Sequence, residues 1–564
     1  MNKVWNKPQI DDEVQLRAEE ISKKFNISLL VSRIIAKKNL SDKEIKVFLE
    51  PTRNDFHDPY LMPDIDKALD RIQKAIDNKE KITIYGDYDV DGITSVSILN
   101  KFFKEINIET DIYIPNRLSE GYGLNNEAIE TISKRNTNLI ITVDCGITSV
   151  NEVEKAKELG MDVIITDHHE PAETIPKAIA VIDCKRKDSK YPFRELAGCG
   201  VAFKLTQAFC KKLNLEENLC LKNLDLACIG TISDIVPLVD ENRSIAKLGL
   251  MLVNQTKNIG LRELIKSAGY KKITSESVSF GLSPRINASG RMGHQEDALD
   301  LFLTNDPIKA RNLAKKLEEY NSQRQEIEKR IYEEAVSKVE QEGNTKKCIV
   351  LGSENWHHGI IGIVSSKITD KYYKPSILVC FEGEDAKGSG RSIKGFDLHE
   401  ATEKCKADLT ACGGHSMAVG VSLKTANFEK FKDDFERYAN DNITDEMLNK
   451  TINIDEVITK KDATLESIKD LKLLEPYGEG NKKAVVLYRN LKIDSIRTLT
   501  DGKHLKLLLE DEGNYIDAMG FGMGNLVEDY IIGDRVDVVG NIEINTYNGR
   551  SKVQMLIIDL RKSV

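Results

Sequence analysis

The chain has 564 residues, of which 40% are hydrophobic and 30% are charged, and its formal net charge is -9 at pH 7. Such a composition is typical of a globular protein, and the length is enough for about four units of ordinary domain size. The negative charge argues against broad, sequence-independent binding of duplex nucleic acid, for which basic domains are usual.

The sequence contains no apolar run of about 18 residues, so no membrane span is expected. Its first residues, Met1 to Lys7, lack the apolar core of a signal peptide. The ten cysteines are scattered without a C-x-x-C pair, which is typical of reduced thiols. We therefore expect a cytoplasmic protein.

Residues 1–75 are predicted to form a helical region that packs on the domain that follows it. One helix start is marked by Ser41, with Glu44 three residues later, which is the pattern of a capping box. No chemistry can be argued from this region.

The segment Lys81–Gly92 combines a buried strand with a cluster of acids. The run Ile82–Tyr85 is apolar and β-branched, and Asp87, Asp89 and Asp91 follow it closely. Each pair of carboxylates about 4 Å apart repels by roughly 4 kcal/mol at an effective dielectric constant of 20. The cluster is either a solvated turn or helix cap, or a site that holds a cation.

The same pattern recurs later in the chain. The run Leu139–Val143 ends at Asp144, and the run Val163–Thr166 ends at Asp167-His168-His169. Strands that alternate with helical segments predict a parallel, doubly wound sheet whose ligands gather at the carboxyl ends of the strands. Carboxylates with one imidazole suit Mn²⁺ or Mg²⁺. A further acid, Asp234, lies in Gly230–Leu238.

These motifs resemble those of the DHH phosphoesterase superfamily, and the whole chain resembles its RecJ branch of single-stranded-DNA-specific 5′→3′ exonucleases. The resemblance implies two divalent ions, Mn²⁺ or Mg²⁺, bound by Asp87, Asp89, Asp144, His168 and Asp234, with Asp144 as the bridging carboxylate. Three neighbours have supporting or catalytic roles: Asp167 orients an imidazole, and His169 binds the scissile phosphate or transfers a proton. Asp91 either caps the following helix or contacts a metal, and a supporting role is favoured.

The resemblance also divides the chain. It implies an α/β fold in which a DHH parallel-sheet domain is joined by a long helix to a DHHA1 α/β domain, followed by an OB-fold β-barrel. The expected parts are the N-terminal region at 1–75, the DHH domain at 76–295, the connecting helix at 296–345, the DHHA1 domain at 346–449 and the OB domain at 450–564.

Several loops are expected to bind phosphate. Arg117 lies in the glycine-bounded segment Ile114–Gly123, and Ser283–Gly293 is predicted to be a loop that forms an anion cradle. In the second α/β domain, Gly388–Ser392 and Cys412–His415 are predicted to be loops rich in donors. The DNA-binding or phosphate-binding candidates are Arg117, Arg285, Asn287, Arg291, Ser389, Arg391 and His415. A second metal site at His357-His358 lacks a nearby carboxylate cluster.

The last part of the chain contains short β-strand patterns and the turn Asn548-Gly549, which predict a small barrel. OB folds bind single strands through aromatic and basic side chains. The candidates here are Tyr488, Arg489, Lys503, Lys506, Tyr547 and Arg550.

The predicted function is removal of 5′-mononucleotides from single-stranded DNA in repair and recombination. The expected partners are DNA with a free 5′ end, a single-strand-binding protein and a helicase, and the protein is expected to be a monomer without a membrane attachment. Two alternatives remain: a DHH phosphodiesterase of short oligonucleotides or cyclic dinucleotides, and a degenerate scaffold of a replication complex.

Overall fold

A computed structural model describes residues 3–8, 11–117 and 119–563. The described chain forms an N-terminal helical region, two α/β units joined by a long helix, and a C-terminal β-barrel. None of the described helices combines the length and the apolar content that a membrane crossing needs.

The N-terminal region has one strand and four helices: β1 (Val4–Asn6), α1 (Asp12–Phe25), α2 (Leu29–Ala36), α3 (Asp42–Leu49) and α4 (Ile65–Asp77). The predicted capping box of α3 is present, because Ser41 and Glu44 bond each other's backbone N–H groups. Helix α4 packs in the core of the first α/β unit. Helices α1 to α3 instead form their core with Leu474 from the segment that leads into the barrel.

The first α/β unit contains β2 (Ile82–Gly86), α5 (Val90–Glu105), β3 (Asp111–Tyr113), α6 (Asn126–Lys134), β4 (Leu139–Val143), α7 (Val150–Glu158), β5 (Asp162–Thr166), β6 (Ala180–Ile182), α8 (Gly198–Lys212), α9 (Asn218–Leu221), α10 (Leu224–Ser233), α11 (Asp240–Val253), α12 (Ile259–Ser267), α13 (Ser275–Ser277) and α14 (Ser283–Arg291). Its five strands are parallel, in the order β3-β2-β4-β5-β6. Every residue of β2 and β4 is buried, because helices cover both faces of the sheet. The predicted parallel sheet is confirmed.

The connecting region consists of two helices, α15 (Gln295–Leu303) and α16 (Pro307–Gln341), rather than one uninterrupted helical stretch. Helix α16 begins anew because Asp306 caps it and Pro307 occupies its first position. Its 35 residues span about 50 Å. Leu313 and Leu317 pack in the first unit, whereas Ile331 and Ala335 pack in the second.

The second α/β unit contains β7 (Ile349–Ser353), α17 (His358–Tyr372), β8 (Ser376–Glu382), β9 (Asp385–Arg391), α18 (Leu398–Lys404), β10 (Ala411–His415), β11 (Ala418–Lys424) and α19 (Phe428–Asn442). Its strand order is β10-β11-β9-β8-β7. The predictions that Gly388–Ser392 and Cys412–His415 are loops were wrong, because Gly388 to Arg391 belong to β9 and Cys412 to His415 belong to β10. The glycines of both segments pair with residues of β11, which lies between β9 and β10.

The C-terminal part contains β12 (Thr451–Asn453), β13 (Glu456–Ile458), α20 (Leu465–Lys469), β14 (Val486–Leu499), β15 (His504–Asp511), β16 (Asn514–Gly520), β17 (Arg535–Tyr547) and β18 (Arg550–Lys562). Strands β14, β15, β16, β18 and β17 pair in that order, and β14 pairs with β17 to close the barrel. The predicted turn at Asn548-Gly549 joins β17 to β18. Strand β1 pairs with β12, and Leu30 lies in the barrel core.

A candidate metal centre and an adjoining anion pocket

The carboxyl ends of the central strands bring the predicted acids and imidazoles to one edge of the first sheet. Asp87 follows β2, Asp144 follows β4, and Asp167-His168-His169 follow β5. Asp89 caps the start of α5, where its side chain accepts a hydrogen bond from the Gly92 N–H at 3.0 Å. Because neighbouring parallel strands end at the same edge, residues far apart in the chain become neighbours.

Three overlapping groups of side chains at this edge could each hold a metal ion, and the ligand atoms within each group lie within 4.8 Å of one another. The groups are Asp87, Asp89 and Asp144; Asp144, His168 and His169; and Asp91, His168 and Asp234. Asp144 and His168 each belong to two groups. All five predicted ligands therefore belong to these groups, and the groups that contain Asp144 also include Asp87, Asp89 and His168.

Buried polar atoms without hydrogen-bond partners indicate that this site suits a divalent cation. Oδ1 of Asp87 and both ring nitrogens of His168 are buried and have no hydrogen-bond partner among the described residues. Nε2 of His168 lies 3.1 Å from Oδ1 of Asp144 and 3.6 Å from Oδ2 of Asp234, yet it bonds neither. Burial lowers the pKa of His168 to about 4, so the ring is neutral and offers the lone pair that a metal requires.

The pKa values of the acids indicate the same requirement for positive charge. Burial, followed by repulsion from Asp89, raises the pKa of Asp87, and burial with repulsion from Asp91 raises that of Asp144. The pKa of Asp234 is raised to about 9 by burial and by Asp91. Divalent ions would offset this repulsion, because they are the largest local charges in such sites.

Asp91 belongs to one of these groups and is also hydrogen-bonded to the start of α8. Its carboxylate accepts hydrogen bonds from the N–H groups of Gly198, at 2.6 Å, and Cys199, at 2.9 Å, at the start of α8. Oδ2 of Asp91 lies 3.8 Å from Nε2 of His168. The close approach of α8 requires glycine at 198, because a Cβ atom there would lie 2.7 Å from Oδ1 of Asp144.

His169 lies beside the centre in a network with Asp167 and Tyr122. Its Nδ1 atom bonds Oδ1 of Asp167 at 2.7 Å. Although burial opposes the charged ring, this bond and the charge of Asp167 raise the pKa of His169 to about 9. The Tyr122 hydroxyl lies 3.1 Å from Nδ1 of His169 and donates a hydrogen bond to the Asp144 carbonyl at 3.3 Å. The Asp167 carboxylate therefore favours the charged form of His169 and holds the ring in place.

A cavity of about 250 Å³ lies between the two α/β units. It is lined by Arg117, Arg291, His358, Gly359, Gly362, Ile363, Ser366, Ser389 and Arg391, and we call it the arginine pocket. No carboxylate of the described chain lines it. Burial, then repulsion from Arg117, lowers the pKa of Arg291 to about 9, and burial lowers that of Arg391. The arginine pocket thus concentrates positive charge, which suits an anion.

The arginine pocket adjoins the metal centre through Tyr88. The Arg117 guanidinium lies 4.8 Å from the centre of the Tyr88 ring, and Tyr88 stands between Asp87 and Asp89 in the chain. Glycine at 362 allows α17 to approach β9, because a Cβ atom there would lie 2.9 Å from the Ser389 Oγ atom and 3.3 Å from Arg391 Nη2.

Three phosphate-binding candidates do not line this cavity. Arg285 is engaged by the Glu318 carboxylate, with Nε at 2.6 Å from Oε2, and the Asn287 side chain accepts a hydrogen bond from the Val90 N–H at 3.2 Å. The prediction that 283–293 is a glycine-rich loop was wrong. Residues Ser283–Arg291 form α14, and a π-helical turn at Val278–Leu282 precedes it. His415 is exposed at the end of β10.

The OB candidates differ in exposure. Tyr488 cannot stack on a base as predicted, because it is 2% exposed in the barrel core and its hydroxyl donates to Asp511 at 2.6 Å. Lys506 pairs with Asp517 at 3.3 Å. Four of the candidates are exposed: Arg489, Lys503, Tyr547 and Arg550.

Sequence reasoning missed two residues at these sites. Tyr122 lies in the glycine-bounded segment Ile114–Gly123, in which the sequence indicates only Arg117 as a functional residue. The glycines on either side of Tyr122 are the signal that could have pointed to it. His358 lines the arginine pocket, but the sequence pointed only to a metal site there. The described residues show no metal-binding group at His357-His358.

The chain matches three family models: "DHH family, N-terminal domain" over residues 81–231, "DHHA1 domain" over 345–441 and "RecJ OB domain" over 454–559. It is 40% identical over 551 residues to the single-stranded-DNA-specific exonuclease RecJ of Bacillus subtilis, covering 97% of this chain and 69% of that protein.

Two solved structures match the whole fold. RecJ of Thermus thermophilus in complex with Mn²⁺ has a TM-score of 0.87 and 28% identity, with 100% of this chain and 80% of that chain covered. Its complex with Mg²⁺ has a TM-score of 0.81 and 26% identity, with 100% and 79% covered. These two metals are those expected for a cluster of aspartates with an imidazole. The order of the domains, the clustered ligands and the 40% identity together show that the chain belongs to the RecJ family of exonucleases.

Proposed function

We propose that this protein hydrolyses single-stranded DNA from its 5′ end and releases 5′-mononucleotides, in DNA repair and recombination. The observation that carries the proposal is the joint placement of two features. A cluster of carboxylates with a neutral imidazole lies beside a cavity lined by three arginines. The first suits metal-assisted phosphodiester hydrolysis, and the second suits a terminal phosphate.

The metal-binding residues in this proposal are Asp87, Asp89, Asp144, His168 and Asp234. Bound divalent ions would supply an activated water and would stabilise the charge that develops on the phosphate. The neutral ring of His168 offers a lone pair, and the shared position of Asp144 suits a carboxylate that bridges two ions. Asp91 positions α8 against Asp144 through its bonds to Gly198 and Cys199.

His169 would act on the scissile phosphate. Its charged ring is a hydrogen-bond donor and a positive charge at the edge of the carboxylate cluster. Asp167 orients the ring, and its carboxylate also accepts a hydrogen bond from the Ile147 N–H at 2.9 Å. Such an anchored charge can bind a non-bridging phosphate oxygen or transfer a proton to the leaving oxygen.

The arginine pocket would hold the terminal 5′ phosphate. Arg291 and Arg391 each use part of their guanidinium on main-chain carbonyls, at Gly359 and Gly390, which orients their remaining N–H groups. A phosphate held beside Tyr88 would leave the next phosphodiester at the carboxylate cluster. This arrangement favours the release of one nucleotide at a time.

The barrel would bind the strand that leaves the active site. Arg489, Lys503, Tyr547 and Arg550 are exposed, and aromatic stacking beside basic side chains is how OB folds hold single strands. We also expect a cytoplasmic monomer that works with a single-strand-binding protein and a helicase. The ten cysteines are unpaired, which suits a reducing compartment.

The central test compares single-stranded and double-stranded DNA, labelled at either end, with Mn²⁺, Mg²⁺ or a chelator. We expect mononucleotides from the 5′ end of single strands with either metal and none with chelator. An Asp144→Asn variant should lose about a thousandfold in rate, because it weakens the bridging position. Asp66→Asn is the matched control, since Asp66 is exposed on α4. Unchanged cleavage by Asp144→Asn would contradict the proposal.

Activity on short substrates separates this proposal from the alternative phosphodiesterase. Removing residues 450–564 is unsuitable as a test, because Leu30 of the N-terminal region lies in the barrel core and the rest of the chain would lose that packing. The intact protein should instead be given dinucleotides and long single strands. A preference for dinucleotides would favour the phosphodiesterase, and binding without hydrolysis of either would favour the scaffold.

A further inference from the structure

His358 is a polar group of the arginine pocket for which the reaction described above has no use. It is the first residue of α17 and lines the cavity together with Arg117, Arg291 and Arg391. Its Nδ1 atom bonds the Glu382 carboxylate at the end of β8. Its other ring nitrogen, Nε2, is buried and has no hydrogen-bond partner in the described part of the chain. Leaving such an atom unpartnered is unfavourable, unless a ligand satisfies it.

The charges around His358 identify the ligand. Arg291 from α14, Arg391 from β9 and Arg117 share the cavity, Glu382 contacts the far side of the ring, and His357 stacks on it with ring centres 5.5 Å apart. An imidazole that donates from Nδ1 to a carboxylate can donate from Nε2 as well only as an imidazolium. In that form Nε2 would donate to an anion bound in the cavity.

We propose that His358, held by Glu382, is a fourth cationic ligand of the terminal 5′ phosphate and raises the selectivity of the pocket for a phosphomonoester over a 5′-hydroxyl end. The inference rests on the proposed role of the arginine pocket. A phosphomonoester carries up to two charges and three free oxygens, more than a phosphodiester offers. Three arginines and one imidazolium match that excess of charge, whereas a hydroxyl end would leave Nε2 without a partner.

Two substitutions distinguish the roles of the two ring nitrogens of His358. His358→Asn keeps a donor near the Nδ1 position, so the bond to Glu382 can persist while the Nε2 donor is lost. His358→Gln extends an amide toward the Nε2 position. Both are measured on long single strands that differ only in a 5′-phosphate or a 5′-hydroxyl end, with Mn²⁺. The control is His399→Asn, because His399 lies on α18 and does not line the cavity.

The expected result is a loss confined to the phosphorylated substrate. His358→Asn should raise its KM about tenfold, which is the effect of one charge-assisted hydrogen bond, and should change KM for the hydroxyl strand less than about twofold. His358→Gln should lose less than His358→Asn, because its amide can donate near the Nε2 position although it carries no charge. Glu382→Gln should raise KM for the phosphorylated strand about threefold, because the ring loses the carboxylate that holds it in place. His399→Asn should resemble the wild type.

An Arg391→Gln variant makes the two levels of the proposal distinguishable. If it reduces the preference for the phosphorylated end and His358→Asn does not, the role of His358 is wrong and the arginine pocket stands. If neither variant changes the preference, the pocket does not bind the terminal phosphate. Equal losses on both substrates in His358→Asn would mean that His358 only stabilises the fold, which would also overturn the inference.

Discussion

The guanidinium carbon of Arg243 lies 3.6 Å from the centre of the Phe48 ring, and Arg243 is only 2% exposed. It has no carboxylate partner among the described residues and instead donates to four main-chain carbonyls: Phe48 at 2.9 Å, Glu475 at 3.0 Å, Pro476 at 3.2 Å and Leu473 at 3.3 Å. One side chain of α11 therefore joins the N-terminal helices, the first α/β unit and the segment that leads into the barrel. Burial lowers its pKa to about 9.

Replacing this arginine should loosen the junction. Arg243→Met keeps much of the volume but removes a donor from each of four main-chain carbonyls. Leu473 keeps a bond from Lys247 at 3.2 Å and Pro476 keeps one from Asn481 at 2.9 Å. We expect a loss of about 3 kcal/mol in the free energy of unfolding. Urea denaturation measures it. Arg262→Met on α12 is the control, because Arg262 is exposed. Equal midpoints for the two variants would show that the junction contributes nothing to stability.

Asp183 should make stability depend on pH. The residue is fully buried, its Oδ2 atom has no hydrogen-bond partner within the described chain, and burial raises its pKa to about 7. Because the folded-state pKa lies above the unfolded value, the folded protein holds the proton more tightly. The resulting stabilisation is present at low pH and is lost as pH rises toward about 7.

The substitution Asp183→Asn removes this titration. The free energy of unfolding of the variant, relative to that of the wild type, should increase by about 2 kcal/mol between pH 5 and pH 8. Urea denaturation at both pH values is the measurement, with the exposed Asp66→Asn as control. A difference that stays constant between the two pH values would contradict the assignment of this titration to Asp183.

Gly362 should be essential to the arginine pocket and not to the fold. An added Cβ atom would lie 2.9 Å from the Ser389 Oγ atom, so Gly362→Ala must push α17 away from β9 or displace the side chain. We expect KM for 5′-phosphorylated strands to rise about tenfold, equivalent to about 1.4 kcal/mol, with kcat nearly unchanged. Gly420→Ala on β11 is the control, because a Cβ atom there meets nothing within 4 Å among the described residues. Identical kinetics for both variants would rule out this role.

Tyr122 should affect turnover more than binding. Its hydroxyl connects the Asp144 carbonyl to the His169 ring, so Tyr122→Phe removes one of the contacts that hold the ring and leaves only the bond to Asp167. We expect kcat to fall about fivefold while KM changes little, which corresponds to about 1 kcal/mol for the lost hydrogen bond. Steady-state kinetics test this, with Tyr515→Phe on the exposed face of the barrel as control. A change in KM alone would place Tyr122 in strand binding instead.

The metal centre was accessible from sequence because its pattern is local. A buried run followed by Asp87, Asp144 or Asp167 predicts both a strand and the position of its acid, and parallel strands end at one edge. The barrel was likewise predicted from several short β-strand patterns and the turn at Asn548, which joins β17 to β18. Each of these signals depends on only a few consecutive residues.

The arginine pocket, by contrast, depends on how the two α/β units meet. Arg117, Arg291 and Arg391 come from distant parts of the chain, and no period or spacing relates them. Glycine-rich segments such as 283–293 and 388–392 suit loops, helices and strands alike, so only packing decided that they form α14 and β9. The burial of Tyr488 and the bond between Glu382 and His358 were decided in the same way. Local sequence determined which chemical groups this protein carries, and long-range packing determined which of them face a ligand.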